Sequence, residues 1–253
     1  MPQQSRKVWG GVLVLLLTAF AVAAQARVTQ EFHKTVPLSN NGGFSLKNIN
    51  GNAHISAWDR SEVQIDAVKS ADDQRKLDEA QIEVSSVGNN LEVRTKYPEG
   101  RNQHNAASVD YTIHVPRGVR LNDVSMVNGN LDIEGVSAAI HAESVNGNVR
   151  IVNASGGLKA SSVNGRLEAS FTSLSPEEVS LETVNGALEL RLPANASARL
   201  RASTVNGSVN NDFSLPAEHS KWGGGSNMEG TIGSGTTRIE LSNVNGSINI
   251  SRI

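Results

Sequence analysis

The chain of 253 residues contains no cysteine. That absence removes disulfides, thiolate metal sites, cysteine nucleophiles and a lipidated cysteine at a processed N-terminus together. Aromatic residues are also scarce, at 4%, so a core must be assembled from Val, Leu, Ile and Ala. The same scarcity leaves few candidates for a sugar-binding face built on exposed rings. There is no excess of one charge: the formal net charge is -2 and the pI is near 6.3. A nucleic-acid partner calls for a clustered basic excess, so none is expected. The six histidines (His33, His54, His104, His114, His141 and His219) show no His-x-His or His-Glu-x-x-His spacing. No Gly-x-Ser-x-Gly elbow, Walker loop or dinucleotide fingerprint is present, and the Gly223-Gly224-Gly225 run lacks the Lys-Ser or Lys-Thr of a phosphate loop. The hexapeptide pattern of acyltransferase helices and the Gly-Gly-x-Gly-x-Asp calcium repeat are missing as well. No metal, no cofactor and no catalytic residue is expected.

The long apolar run lies at the N-terminus. Arg6 and Lys7 precede an uncharged stretch from Val8 to Ala24, and Ala24-Gln25-Ala26 supplies a small-x-small cleavage pattern. That order of basic, apolar and small residues predicts a secretory signal peptide over 1–26. A membrane-spanning helix wants roughly 20 apolar residues, so cleavage is preferred to anchoring. The expectation is an exported protein of the periplasm or cell surface, 27–253, with no membrane span after cleavage.

What the chain has in abundance is one tripeptide. Asn-Gly preceded by Val or Ile occurs at Asn50-Gly51, Asn128-Gly129, Asn146-Gly147, Asn164-Gly165, Asn185-Gly186, Asn206-Gly207 and Asn245-Gly246. From Gly129 onward the spacings are 18, 18, 21, 21 and 39; the last is close to two periods, which predicts one degenerate copy hidden within it. Counted from Asn, apolar residues recur six and four before, one before, and three and five after. One copy reads Ile140, Ala142, Val145, Val149, Ile151, and the next Leu158, Ala160, Val163, Leu167, Ala169. Alternation on both arms marks half-buried strands. The apolar residue just before Asn interrupts it, so the chain is expected to bend there with residues such as Val163 inward. Asn-Gly is also the strongest hairpin signal, and a tandem of antiparallel hairpins is the rival reading. The repeated pattern favours a parallel β-helix-like solenoid, in which each Asn lies over the next at about 4.8 Å. Its handedness is left open by the pattern.

Two stretches break the rhythm. The first, 57–121, is an N-terminal β-rich insertion: a strand over 62–68, a charged helical candidate over 71–80, and the segment 82–93. That segment reads as a decayed rung or as a hairpin. Val109, Tyr111, Ile113 and Val115 form a further strand, stopped by Pro116. The second, 212–237, reads as a glycine-rich loop carrying Trp222, which either contacts a ligand or folds over the end of the solenoid. The end is expected at the last rung, where Ile248 and Ile250 still follow the repeat.

The Asn50-Gly51 rung followed by Ala57-Trp58-Asp59-Arg60, the strand ending at Pro116 and the run of Asn-Gly rungs together resemble the bacterial putative-adhesin domain family. The resemblance spans the expected mature chain. It implies an exported β-solenoid and an adhesin-like role, and it brings no catalytic residues. Outward positions carry Asp132, Arg150 and Glu168 on consecutive rungs, a surface charge ladder. Glu168 and Glu189 form the one candidate acid pair for a carbohydrate-active enzyme. The preferred expectation is a non-enzymatic envelope or surface interaction module with a protein or glycan partner. A structural or assembly component of the envelope comes second, and a carbohydrate-active β-helix third.

Overall fold

The computed structural model describes residues 27–98, 106–219 and 224–253. The expected signal peptide (1–26), His104 and Trp222 lie outside them.

The first strand among the described residues is β1 (Val28–Pro37), and a first rung follows in β2 (Gly43–Asn50) and β3 (Ala53–Trp58). Then come β4 (Glu62–Ala71), the helix α1 (Gln74–Glu79), β5 (Gln81–Val87), β6 (Asn90–Lys96) and β7 (Ser108–Pro116). Four rungs succeed one another: β8 (Arg120–Asn128) with β9 (Leu131–Glu134), β10 (Ile140–Asn146) with β11 (Val149–Ala154), β12 (Leu158–Asn164) with β13 (Leu167–Phe171), and β14 (Val179–Asn185) with β15 (Leu188–Leu192). The last part holds β16 (Ala198–Asn206), β17 (Val209–Asn211), β18 (Ala217–His219), β19 (Ser226–Ile232), β20 (Thr237–Asn245) and β21 (Ile248–Arg252).

Each rung contributes its first strand to an eleven-stranded sheet and its second to a ten-stranded sheet. Successive rungs pair in parallel and in register. Ile140 lies beside Leu158, Leu158 beside Val179, and Val179 beside Ile239. On the other sheet Ile151, Ala169, Leu190 and Ile250 form the matching column. These side chains are fully or almost fully buried between the sheets, and each large one removed from water contributes roughly 1.5–3 kcal/mol. Parallel pairing rules out the tandem of hairpins. So does the backbone: no Asn of the motif has a positive φ, as the tight Asn-Gly hairpin turn requires at both positions.

The bend is made by glycine. Gly147 and Gly165 sit at φ of 149° and 146°, a region that side-chain-bearing residues avoid. A Cβ on Gly147 would also stand 2.0 Å from the carbonyl oxygen of Gly129 in the rung below. The rungs are therefore too closely stacked at this corner for any other residue.

This placement of the bend corrects the expectation for the residue before Asn. Extended backbone and its alternation continue up to Asn, so the position two before Asn faces inward and the valine faces out. Ser144, Ser162, Thr183 and Thr204 are buried, whereas Val163 is 40% exposed.

The two irregular stretches also resolve. β5 and β6 are an antiparallel hairpin, so 82–93 is a hairpin and not a decayed rung, although β6 itself runs parallel to β2. The helical candidate shrinks to Gln74–Glu79 because Ala71 is the last residue of β4; Asp73 caps the helix, accepting from Lys76 N at 2.8 Å. On the other sheet β1, β4 and β7 extend the stack beyond β3.

At the far end the described residues of the 39-residue gap hold no hidden rung. They hold the antiparallel pair β18–β19, and β19 runs antiparallel along β16. Nor is the last rung the end of the stack. β20 lies between β14 and β16, and β21 between β15 and β17. The rung of Asn206 is outermost in space, and β19 covers its free side in the larger sheet. The expected cover over 212–237 is therefore laid on a different rung from the one anticipated.

Candidate functional site

Two columns run side by side along the Asn-Gly corner. The first is a ladder of side-chain amides. Asn128 Nδ2 donates to Asn50 Oδ1 at 3.0 Å, Asn146 to Asn128 at 3.0 Å, Asn164 to Asn146 at 2.9 Å and Asn185 to Asn164 at 3.0 Å. Asn245 then donates to Asn185 at 2.8 Å and Asn206 to Asn245 at 2.9 Å. All seven motif asparagines join one chain of hydrogen bonds with the same polarity. Beneath them the glycine N–H groups donate to the motif-Asn carbonyl of the next rung, as from Gly129 to Asn146 and from Gly147 to Asn164, both at 2.9 Å, except at the outermost rung, where Gly207 N donates to Gly224 O at 2.8 Å.

The second column is aliphatic and faces outward. In spatial order it reads Ile49, Val127, Val145, Val163, Val184, Val244 and Val205. Ile49 and Val127 are half-buried, while Val145, Val184, Val244 and Val205 are exposed, Val205 to 61%. Seven rungs at the usual strand spacing make a stripe about 29 Å long. Contiguous exposed apolar surface of this kind marks interaction sites more often than scattered residues do.

A shorter ladder lies on the far side of the corner. Asn130 N donates to Asn52 Oδ1, Asn148 N to Asn130 Oδ1 and Arg166 N to Asn148 Oδ1, at 2.9–3.0 Å. Asp110 closes it by accepting from Asn52 N at 2.7 Å and from Asn52 Nδ2 at 3.0 Å. The signal for it was the Asn-Gly-Asn recurrence in three rungs, which the Val-Asn-Gly reading passed over.

The outer face of the ten-stranded sheet carries the expected charge ladder. Arg150 reaches Asp132 at 4.0 Å and Glu168 at 3.9 Å. The candidate acid pair, Glu168 and Glu189, does sit on adjacent strands, but arginines bridge it. Arg191 lies 3.2 Å from Glu168 and 3.8 Å from Glu189, and Arg166 lies 3.3 Å from Glu189. Both carboxylates are thus paired with guanidinium groups on the outer face of the sheet.

Nearer the N-terminal end, His114 Nδ1 is 2.7 Å from Ser56 Oγ, a contact invisible in sequence because 58 residues separate them. A serine–histidine pair acts as a nucleophile when a third group orients the base. Here His114 stacks against Trp58, ring centroids 5.2 Å apart, and the Arg60 guanidinium lies over the Trp58 ring at 4.8 Å from its centroid. Trp58 Nε1 donates to the Glu62 carbonyl at 2.8 Å, and Asp59 pairs with Arg117 at 3.0 Å. The Trp58-Asp59-Arg60 motif thus fastens the turn out of the first rung. On the neighbouring strands His33 lies 2.8 Å from Asp66; that bond raises the His33 pKa and lowers that of Asp66.

A shallow groove of about 390 Å³ follows the start of β8, β10, β12 and β14, with Arg120, His141, Lys159 and Glu178 on its walls. His141 is occupied by Glu143 at 3.2 Å. His54 is exposed on the sheet face. Among the described residues no cluster of three or more His, Asp or Glu is placed to hold a metal, and no helix is long and apolar enough to cross a membrane. The candidate ligand contact, Trp222, stays outside the described residues.

A putative cell adhesion protein from Clostridium sporogenes ATCC 15579 is 15% identical, with a TM-score of 0.54, covering 89% of this chain and 100% of that one. A putative adhesin from Bacteroides fragilis NCTC 9343 is 17% identical with a TM-score of 0.44, covering 88% of this chain and 97% of that one. No curated protein matches. Residues 21–251 match the Toastrack DUF4097 family, and the chain belongs to that family.

Proposed function

We propose that the chain is an exported, adhesin-like interaction module of the cell envelope or surface, and that the outward valine column is its binding edge. The observation that carries this reading is the exposure of Val145, Val163, Val184, Val244 and Val205 on a continuous line of neighbouring rungs. A scaffold held by in-register columns keeps such a line straight, so a partner meets many equivalent contacts at once. The partner is a protein surface with its own apolar stripe. Aliphatic side chains flanked by amides lack the ring faces that sugars stack on, whereas they pack well against Leu, Ile or Val. The bridging of Glu168 and Glu189 by arginine supports a non-enzymatic role, and the names of the solved relatives point the same way. Export rests on the order of residues in 1–26.

The test uses purified protein on arrays of envelope proteins and glycans. The triple variant Val145→Thr/Val163→Thr/Val184→Thr keeps the branched shape while removing apolar surface. Loss of protein binding by a variant that melts like the parent supports the valine edge. Undiminished binding sinks it, and binding confined to glycans points to another surface.

A further inference from the structure

The rung formed by β20 and β21 is out of sequence order. Every other rung from β8 to β15 stacks on its sequence neighbour, but this one enters between two rungs that precede it, β14/β15 and β16/β17. Glu182, Ser242 and Ser203 therefore stand side by side on three strands, as do Asn185, Asn245 and Asn206. The β16/β17 rung meets the β14/β15 rung only through this later segment, so 237–253 fills a slot one rung thick between them.

We propose that the slot is a strand-exchange site through which two copies of this chain interlock, each supplying 237–253 to the other. This goes beyond the valine edge and does not depend on it. The argument has three parts. First, the forces that seat the rung are contacts between the rung and the two slot walls. They comprise ladder hydrogen bonds on both flanks, burial of Ile239, Leu241, Ile248 and Ile250, and the asparagine ladder. All of them are reproduced unchanged when the rung comes from another copy, which is the condition that makes exchange of an identical element inexpensive.

Second, the slot selects this segment. Asn243 is buried and its Nδ2 donates to Gly186 O on one wall at 2.8 Å. From the opposite wall Thr204 Oγ1 donates to Gly246 O at 3.0 Å. A foreign strand without the buried amide leaves the Gly186 contact unmade. Open ladder edges recruit strands in general, but the key fitted to both walls is this chain's own last rung.

Third, the connection is built as a hinge. β19 and β20 lie on opposite flanks of β16, with Ile232 and Thr237 both beside Ala198. Residues 233–236 must therefore step over β16, a span of two strand spacings or about 9.6 Å. Gly233 and Gly235 take φ of 58° and 72°. The exposed Ser197 hydroxyl holds the crossing, accepting from Ser234 N at 3.1 Å and Thr236 N at 3.2 Å. Four residues reach about 13 Å when extended, enough to cross where two would not be, and the bonds that hold the crossing are those at the Ser197 hydroxyl and one from Gly235 N to Ile232 O.

The absence of native cysteine makes the test clean. One full-length chain carries Ser203→Cys and a second, differently tagged, carries Ser242→Cys; the two are refolded together at high concentration and oxidised. These positions are in register on adjacent strands, at a spacing a disulfide accepts, so a mixed disulfide forms where β20 of one chain lies beside β16 of the other. A control pair uses Ser161→Cys in place of Ser242→Cys. Deleting Ser234 and Gly235 shortens the crossing and should raise the dimer fraction on the order of tenfold, as short hinges do. A mixed disulfide well above the control, in a dimer by light scattering, is the expected result. Mixed disulfide no greater than the control overturns the proposal whatever the hinge variant does, and a folded, purely monomeric hinge variant overturns it independently.

Discussion

The side-chain amide of Asn243 donates to the carbonyl oxygen of Gly186 at 2.8 Å across 57 residues of sequence. The bond ties the last rung to the β14/β15 rung at the inside of the Asn-Gly corner. Asn48 does the same at the other end of the stack, donating to Val109 O at 2.8 Å. In both residues Oδ1 is buried without a partner, so each amide is retained for its donor. Asn243→Ala is expected to destabilise the fold by about 1–3 kcal/mol. Asn243→Thr, which matches Thr183 and Thr204 in the same column, should lose less. Urea denaturation of the two variants checks the order, and equal stability of Asn243→Ala and the parent would contradict it.

The outward valine and the inward serine next to it provide a sharp contrast. Ser162→Asp places a carboxylate between the sheets and should unfold the protein or remove more than about 3 kcal/mol. Val163→Asp, one residue later, projects into solvent and should leave the protein folded with a melting temperature close to the parent. Lys159→Ala, on the outer face, should change stability by under about 0.5 kcal/mol. Thermal melts decide it: a collapse of Val163→Asp together with a native Ser162→Asp would reverse the assignment of faces.

Glycines of similar backbone sign should differ widely in tolerance. In Gly165→Ala the new Cβ stands 2.1 Å from Gly147 O, and its nearest neighbours are all backbone atoms of Gly147 and Asn148 rather than a side chain that can yield. A loss above about 3 kcal/mol is expected there. Gly88 has φ of 58° with nothing within 4 Å of its Cβ position, so Gly88→Ala bears only the left-handed penalty, about 1–2 kcal/mol. Chemical denaturation curves showing both variants equally affected would refute the close stacking.

The edge strand β1 should respond to pH through His33 and Asp66. The His33 pKa is raised above 6.5 chiefly by its bond to Asp66, with Glu31 assisting, so its contribution is complete below pH 6.5 and lost as pH rises through the raised value. The Asp66 pKa is lowered below 3.8 chiefly by the same bond, so its contribution is complete above pH 3.8 and lost as pH falls through the lowered value. β1 should be held best between these limits. Amide exchange in 28–37 should quicken above neutrality in the parent but show no such step in His33→Gln; a parent without the step disproves the coupling.

Processing is checked on the exported protein by mass spectrometry, with a mature N-terminus expected at Arg27. A membrane-retained species beginning at Met1 would count against cleavage.

Much of the architecture was written in local pattern. Alternation around Asn-Gly named Ile140, Ala142, Val149 and Ile151 as inward, and equal spacing placed each asparagine above another, because period-two burial and a one-coil repeat are properties of neighbouring residues. The outward ladder Asp132–Arg150–Glu168 followed from the same register. The direction of Val163 did not follow, because an apolar residue at a corner is compatible with either side until the bend is placed, and glycine moves that bend past Asn. The pairing of Ser56 with His114 did not follow because it depends on β7 returning beside β3.

The order of the rungs was the least legible feature of all. Each rung carries nearly the same pattern, so any rung can stack on any other in register, and sequence order was the only guide. Tertiary structure overrode that guide. The crossing at 233–236 carries the chain over β16, and the wall contacts of Asn243 and Thr204 seat the last rung in the gap. The sequence by itself determined what a rung is; only the packing of rungs against one another decided which came next.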